Sequence, residues 1–313
     1  MISTIILTCL RCIPPVPMPD RPGSLGMIHW LQPEFLMRSF PTASFRTWVP
    51  AGISLGLALL GAVGTAQAQT IHAGSITNSP PMIAYASDGT TLQGVIVDLA
   101  AAMSKQMGRT IEFKPMAFPA LLPAMQAKNI DVAFSLMNDT AERQKVVDFV
   151  DFYNLGTRLL IKKGNPEKVG GLDTLCGKTV ATVKGSTQIA LVDDADAKCK
   201  AANKPAIENL QYAQPADARL QVQTGRVAAF FGNSPVMVYL AATAGDGTVF
   251  DVVPGEYQPV PLGIAVAKDN TALRDALQKS LTALMADGTY RKILEKHGVA
   301  GGALTAAKIN GGT

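Results

Sequence analysis

The sequence predicts an α/β protein built from two units, each with a mostly parallel sheet flanked by helices. Short apolar segments typical of buried strands alternate with longer segments whose apolar residues recur at helical spacing. The alternation occurs twice, on either side of the polar segment 162–166. Glycine, proline and short polar residues separate the segments, as they do at turns. Such an order favours a doubly wound architecture.

The first unit begins with a strand at 70–75, which leads into the turn Pro80-Pro81. A helix at 97–107 carries Leu99, Met103 and Met107 at helical spacing, and Gly108 ends it. The remaining elements predicted in this unit are a strand at 110–113, a helix at 121–128, a strand at 130–134 and a helix at 140–148.

The second unit begins after residues 162–166. Pro235 stands near the start of one of its helices, where its missing N–H costs nothing. We expect strands at 179–183, 207–210 and 227–231, helices at 187–192, 216–224 and 234–242, then a strand at 260–266 and helices at 271–286 and 290–297. The chain therefore divides into a first lobe at 69–162, a second lobe at 163–257 and a return to the first lobe at 258–313, with crossings near 160–164 and 257–262.

Residues 1–68 are expected to lie outside the mature protein. An apolar run at 49–64 follows Arg38 and Arg46 and ends in Ala66-Gln67-Ala68, a signal-peptidase pattern. The run is short for a membrane span, although a retained anchor is the alternative. Because residues 1–36 are rich in proline, we expect translation to start at Met37. The pattern at 66–68 places the expected cleavage after Ala68. The mature protein would then be periplasmic.

The mature chain has a nearly balanced charge. Of 28 basic and 24 acidic residues, four basic and two acidic ones precede residue 69, which leaves a net charge of +2 and no basic run suited to nucleic acid. Cys176 and Cys199 remain, and an even pair in an exported chain indicates a disulfide. The mature chain has His72 and His297 as its only histidines and is predicted to bind no metal or cofactor.

Residues 134–143 carry the strongest indication of a site. Asp139 and Glu142 have the spacing of a capping box, which places Arg143 in the first turn of the helix at 140–148. A guanidinium there can hold a carboxylate through two hydrogen bonds. A solvated surface arginine is the alternative. Ser135 stands at the end of the preceding strand and is a further candidate.

The same strand-to-helix arrangement occurs twice in the second unit. Lys184-Gly185-Ser186 and Gly232-Asn233 each follow a strand and precede a helix. Open α/β sheets bind ligands outside the carboxyl ends of their strands. A ligand between the two units could therefore contact both of them.

The ordered series of motifs resembles the family 3 periplasmic solute-binding proteins, the amino-acid-binding components of ABC importers. The resemblance covers residues 70–300 and rests on short motifs in family order. These motifs are GVIVDL at 94–99, LPAM at 122–125, TAER at 140–143, VDF at 147–149, GKTV at 177–180, KGSTQ at 184–188, GRV at 225–227 and ADGTY at 286–290.

This resemblance implies a periplasmic-binding-protein type II fold that closes on a ligand between its lobes. It assigns the ligand carboxylate to Arg143, a side-chain hydrogen bond to Asn138 and an apolar cover to Phe118. From the second lobe it implies donors at Ser186, Thr187 and Gln188. Ser79, in the loop 76–79, and Asn233 complete the expected site. Phe118 as core, and Thr187, Gln188 and Asn233 as helix caps, remain the structural alternatives.

Asn233 occupies a position where amino-acid binders of this family usually carry aspartate. Because asparagine cannot neutralise a buried ammonium group, and because the loop 76–79 lacks an acid and an aromatic residue, we expect a ligand without a cationic side chain. A neutral or acidic amino acid is the first expectation, and an organic acid without an amine is the second.

Two other functions compete with transport. A cyclohexadienyl dehydratase-like enzyme on the same fold needs a proton carrier in the cleft, and the candidate site residues are poor ones. A receptor that signals to a membrane partner is the other. We expect no catalytic activity, an ABC permease as partner, a monomer, and a tail at 301–313 that is only partly ordered.

Overall fold

The structure of the protein is a computed structural model that describes residues 70–312. The predicted signal peptide, its cleavage site and the proposed start at Met37 lie outside these residues. The strands are β1 Ile71–Ser75, β2 Asn78–Ser79, β3 Ile83–Tyr85, β4 Leu92–Gln93, β5 Ile111–Pro115, β6 Val132–Ala133, β7 Val147–Lys162, β8 Thr179–Val183, β9 Glu208–Tyr212, β10 Ala229–Asn233, β11 Phe250–Val252 and β12 Tyr257–Ala267.

The helices follow the predicted order. They are α1 Val95–Met107, α2 Leu121–Gln126, α3 Ala141–Gln144, α4 Gln188–Ala201, α5 Pro215–Thr224, α6 Ser234–Thr243, α7 Thr271–Ala286 and α8 Thr289–Lys296. Gly108 ends α1 in the left-handed conformation, with φ 63°, as predicted. Gly94 precedes α1 at φ 125°, and a side chain there would meet the carbonyl oxygen of Met82 at 2.6 Å.

One mixed sheet runs through both lobes in the order β5-β1-β6-β12-β7-β10-β8-β9. At the first-lobe end, β1 pairs in parallel with β5 and β6. At the second-lobe end, β8 pairs in parallel with β9 and β10. This arrangement is the two-lobe fold predicted from the sequence, with a mostly parallel sheet and flanking helices in each lobe.

Two long antiparallel strands join the lobes. The 16-residue strand β7 pairs with β12 over much of its length and with β10 near its carboxyl end. Near Tyr257 and Leu262 the register of β12 against β7 shifts. The two predicted crossings therefore correspond to a continuous pair of strands, while the exact lobe boundaries at 162 and 257 stay predictions.

The helix predicted at 140–148 is wrong in its length. α3 ends at Gln144, and Val147 and Asp148 already belong to β7. Residues 147–153 are rich in valine, phenylalanine and tyrosine, and pairing with β12 buries nearly all of them. The N-cap is also different, since Thr140, and not Asp139, accepts the backbone N–H of Arg143 at 3.4 Å.

Apolar residues fill the space between the sheet and the helices. Leu99 on α1 and Leu277 on α7 are fully buried, and Phe134 makes an edge-to-face contact with Phe152 at 5.2 Å between ring centroids. Cys176 and Cys199 form the predicted disulfide, which anchors α4 to the loop before β8. Within residues 70–312 no helix is long and apolar enough to cross a membrane.

The carboxyl-terminal tail is ordered through Gly312, contrary to expectation. Its backbone and side chains bond to β7, and Ala307 is buried against the core. The backbone N–H of Asp151 donates to the carbonyl of Lys308 at 2.9 Å. Backbone pairing and carboxylate contacts therefore compensate for the small, polar composition of this segment.

Candidate functional site

A cavity lies between the lobes, where strand ends of both lobes meet. It encloses about 470 Å³ of unfilled space, a figure that includes open solvent at its mouth. Polar side chains occupy one part of its wall and an apolar surface forms the rest. The polar wall consists of Ser79, Asn138, Ser186, Gln188 and Asn233, and the other lining residues are Ile76, Phe118, Leu136, Val183, Pro215, Phe230, Phe231, Gly232, Val236 and Met237.

Arg143, on the single turn of α3, does not line this cavity itself but lies against Phe118, which does. Its guanidinium lies 5.5 Å from the centre of the Phe118 ring, within cation–π distance. One terminal nitrogen donates to the carbonyl of Asn138 at 2.8 Å, and the other donates to the carbonyl of Gly185 at 3.0 Å. Arg143 thus contacts residues of both lobes.

The electrostatic surroundings of Arg143 leave its charge only partly compensated. Burial lowers the pKa of Arg143 to about 10, although the nearby Asp139 carboxylate favours the charged form. Arg143 makes no ion pair within 4.0 Å of a carboxylate among residues 70–312. A ligand carboxylate could replace the carbonyl contacts with a bidentate, charge-assisted pair.

Asn138 is buried at the base of the polar wall. Its side-chain oxygen accepts a hydrogen bond from the Thr187 hydroxyl at 3.0 Å, across the cleft. Its side-chain nitrogen is buried and has no partner within the described part of the chain. The Ser186 hydroxyl is likewise buried without a partner. Because buried donors normally find acceptors, these two atoms indicate a polar ligand.

The second-lobe polar residues form a connected set. Gln188 is buried, and its side-chain nitrogen donates to the Thr157 hydroxyl at 3.2 Å and to the Asn233 side-chain oxygen at 3.3 Å. Neither Thr187 nor Asn233 caps its helix through the side chain. Instead, the Thr187 hydroxyl bonds to Asn138 across the cleft, and the Asn233 oxygen accepts from Gln188 in the second lobe.

Three of the hydrogen bonds formed within residues 70–312 join the lobes directly across the cleft. Two are the Arg143–Gly185 and Thr187–Asn138 contacts. The third runs from the side-chain nitrogen of Asn78 on β2 to the side-chain oxygen of Gln214 at 3.3 Å. These contacts correspond to a closed arrangement.

The structure brings most of the predicted site residues together. Ser79, Phe118, Asn138, Ser186, Gln188 and Asn233 line the cavity. Thr187 lines an adjoining cavity that shares Asn138, and Arg143 lies over Phe118. Ser135 differs, because it is buried behind the wall and its hydroxyl accepts the backbone N–H of Ile76 at 3.3 Å.

Sequence reasoning missed most of the apolar wall. Phe230 and Phe231 on β10, Leu136 and Met237 line the cavity, and the sequence analysis gave none of them a role. Only their nearness in sequence to Asn138 and Asn233 could have indicated a role. The missed polar contact was Asn78–Gln214, which joins residues too far apart in sequence to be paired without the fold.

No aspartate or glutamate lines the cavity among the described residues. In the same part of the chain, no cluster of three or more histidine, cysteine or acidic side chains could hold a metal ion. The wall offers hydrogen bonding and apolar contact, and Arg143 supplies a cation next to it, against Phe118. That set suits binding of a small anionic or zwitterionic solute.

Comparison with known proteins gives a consistent group of relatives. The sequence pattern of the bacterial extracellular solute-binding proteins, family 3, matches residues 71–300. The arginine-binding protein ArgT of Corynebacterium glutamicum is 32% identical over 250 residues, covering 78% of this chain and 79% of that protein. The lysine/arginine/ornithine-binding periplasmic protein of Escherichia coli is 31% identical, covering 78% of this chain and 95% of that protein.

Solved structures agree with these sequence relatives. An ancestral arginine-binding protein bound to glutamine is similar with a TM-score of 0.66 and 33% identity, covering 74% of this chain and 98% of that one. The ancestral amino-acid-binding protein AncCDT-1, described as a precursor of cyclohexadienyl dehydratase, has a TM-score of 0.64 and 29% identity, covering 73% and 95%. The chain belongs to the bacterial extracellular solute-binding proteins, family 3.

Proposed function

We propose that this protein is the extracytoplasmic receptor of an ABC importer for an amino acid. The observation that carries the proposal is Arg143, a half-buried cation beside the cleft that meets carbonyls and, among residues 70–312, no carboxylate within ion-pair distance. An α-carboxylate supplies the missing charge. Its periplasmic relatives and the Cys176–Cys199 disulfide support a location outside the cytoplasm.

Ligand binding and lobe closure are linked in this proposal. The ligand carboxylate binds Arg143 from the first lobe, while the Ser186 hydroxyl and Asn233 contact the ligand from the second lobe. Contacts to both lobes exist together only when the cleft is closed. The ligand therefore shifts the equilibrium towards the closed form by its differential affinity, and the permease receives that form.

The ligand side chain has two candidates. Arginine is the first, because the relatives are named for binding arginine, lysine and ornithine. These names run against the expectation of a neutral or acidic side chain. Glutamine is the second candidate, because no carboxylate of the described residues lines the cavity to balance a guanidinium. Of two similar structures of ancestral arginine-binding proteins, one is bound to glutamine and the other to arginine.

A thermal-shift screen tests the proposal. The protein secreted from the full-length gene is heated with each amino acid and with amine-free carboxylates of matched length. A ligand at 100 times its Kd stabilises by about 2.7 kcal/mol, which for a chain of this size raises the Tm by roughly 5–10 °C. A shift with arginine or glutamine supports the proposal. Shifts with amine-free acids alone would contradict it.

A lyase function is the rival that the AncCDT-1 likeness raises. The residues at the polar wall are amides and hydroxyls, which are poor general acids and bases at neutral pH. We therefore expect no loss of prephenate when the protein is incubated with it. Catalytic turnover of prephenate, abolished by Arg143→Ala, would favour the enzyme instead.

A further inference from the structure

The carboxyl-terminal tail adds an ordered segment beside the binding residues. Ile309 bridges to Val150 on β7 in antiparallel fashion. Asn310 bonds to Phe149 twice, through its backbone N–H at 3.1 Å and through its side-chain oxygen at 2.8 Å. Residues 308–310 therefore follow β7 like a short extra strand.

The end of the tail reaches two buried carboxyl groups. The backbone N–H of Gly312 donates to Asp139 at 2.7 Å, and that of Gly311 donates to Asp151 at 3.0 Å. Gln144 completes the arrangement, because its side-chain nitrogen donates both to Asp139 at 2.8 Å and to the Gly312 carbonyl at 2.9 Å. Asp139 and Asp151 are almost completely inaccessible to solvent.

Asp139 links this cluster to the site. It lies directly after Asn138, and its backbone N–H donates to the carbonyl of Pro261 at 2.8 Å. Its carboxylate also favours the charge on Arg143. The position of this one residue thus influences both the buried amide and the cation proposed to bind the ligand.

We propose that the tail at 308–312 positions the ligand-binding residues, with Asp139 and Asp151 as positioning residues held by its last two backbone N–H groups. The inference rests on the proposed function for its ligand. The tail contacts no ligand itself; it fixes the segment 138–143 in the geometry that binding requires.

Protonation of the buried carboxyl groups makes the affinity for the ligand depend on pH. Burial and the neighbouring Asp139 raise the pKa of Asp151 to about 7. One oxygen of Asp151 has no partner among the described residues, so a proton there can be shared with Asp139. The charged groups that face Asp151 are Asp139 and Lys308 on the tail, and Arg143 on α3 interacts with Asp139. Because Arg143 lies near Asp139, a carboxylate bound to Arg143 adds negative charge beside the acid pair. Binding then favours protonated Asp151, and affinity falls as pH rises through 7.

Gly312 provides a selective perturbation. A side chain at this position would lie 2.1 Å from the carbonyl oxygen of Asp139, so Gly312→Ala must displace the end of the tail. Gly301→Ala is the matched control, because a side chain there meets nothing within 4 Å. Asp151→Asn keeps a buried donor beside Asp139 and removes the titration.

Calorimetric titration with L-arginine, and with L-glutamine if arginine does not bind, measures the consequence. We expect the affinity of Gly312→Ala to fall at least fivefold and that of Gly301→Ala to match the unmodified protein. Between pH 6 and 8 the affinity of the unmodified protein should fall at least threefold, while that of Asp151→Asn stays constant. An unchanged Gly312→Ala, or an Asp151→Asn variant with the original pH profile, would overturn the inference.

Amide hydrogen exchange without any ligand separates this inference from the proposed function. At one pH, residues 139–144 should exchange at least fivefold faster in Gly312→Ala than in Gly301→Ala, whichever solute the protein binds. Failure of both amino acids to bind, with faster exchange, contradicts the proposed ligand and supports the positioning role. Equal exchange in the two variants would refute the positioning role.

Discussion

The hydrogen bond between Thr187 and Asn138 is the most selective test of closure, because it joins the lobes between two uncharged side chains and its acceptor is buried. The hydroxyl donates at 3.0 Å to an amide that is only 4% exposed. Thr187→Val removes the donor at nearly constant volume. The variant leaves the Asn138 oxygen buried without this partner, which costs about 1–2 kcal/mol in the closed, liganded form.

This cost should appear as a loss of affinity of about 5–30-fold, measured by calorimetric titration with the amino acid found in the thermal-shift screen. In an Asn138→Ala background the same change should cost less than twofold, because the partner is already missing. Thr282→Val, on the exposed face of α7, is the control and should bind normally. Equal losses in the two backgrounds would refute a direct bond between the lobes.

Three further results concern the stability of the fold. Replacing Cys176 and Cys199 with serine should lower the free energy of unfolding in urea by about 3 kcal/mol, since the disulfide closes a loop with a sequence separation of 23. An unchanged free energy of unfolding would contradict a formed disulfide. Because the pKa of Asp151 is raised to about 7, its contribution to stability is fully present below about pH 4 and is lost as pH rises to about 7. Asp151→Asn should therefore flatten the pH dependence of the free energy of unfolding in that range. An unaltered pH profile would refute that titration. Leu99→Ala, in the core beneath α1, should cost about 2–5 kcal/mol without changing the ligand preference, and a cost below 1 kcal/mol would contradict its burial.

Periodicity predicted the order of elements because the same side chains that repeat along the chain face the core. The helix at 271–286 has the bounds observed for α7, with Leu273, Leu277 and Leu281 buried at helical spacing. Prediction failed where a local helical signal competed with pairing across the sheet. At Val147 and Asp148, pairing with the distant strand β12 prevailed over the local pattern.

Arg143, Asn138 and Thr187 were recognisable because short motifs place them at strand ends. Their mutual contacts were not, since Arg143 and Gly185 are 42 residues apart and meet only after both lobes fold. The tail was misjudged for a similar reason. Composition alone makes 301–313 resemble a loose end, whereas its order depends on Asp139 and Asp151, more than 150 residues earlier.

The central claim is that Arg143 holds the carboxylate of an amino acid. Calorimetric titration of the unmodified protein and Arg143→Ala, with L-arginine and its carboxamide, tests the claim most directly, and L-glutamine and its carboxamide replace them if arginine does not bind. Arg291→Ala, on the exposed face of α8, is the control.

Losing a bidentate charged contact should cost about 3–5 kcal/mol, or at least a hundredfold in affinity. The account predicts that the unmodified protein binds the acid and not the carboxamide, and that Arg143→Ala binds neither while the control binds normally. An Arg143→Ala variant that binds the acid within tenfold of the unmodified protein would contradict it.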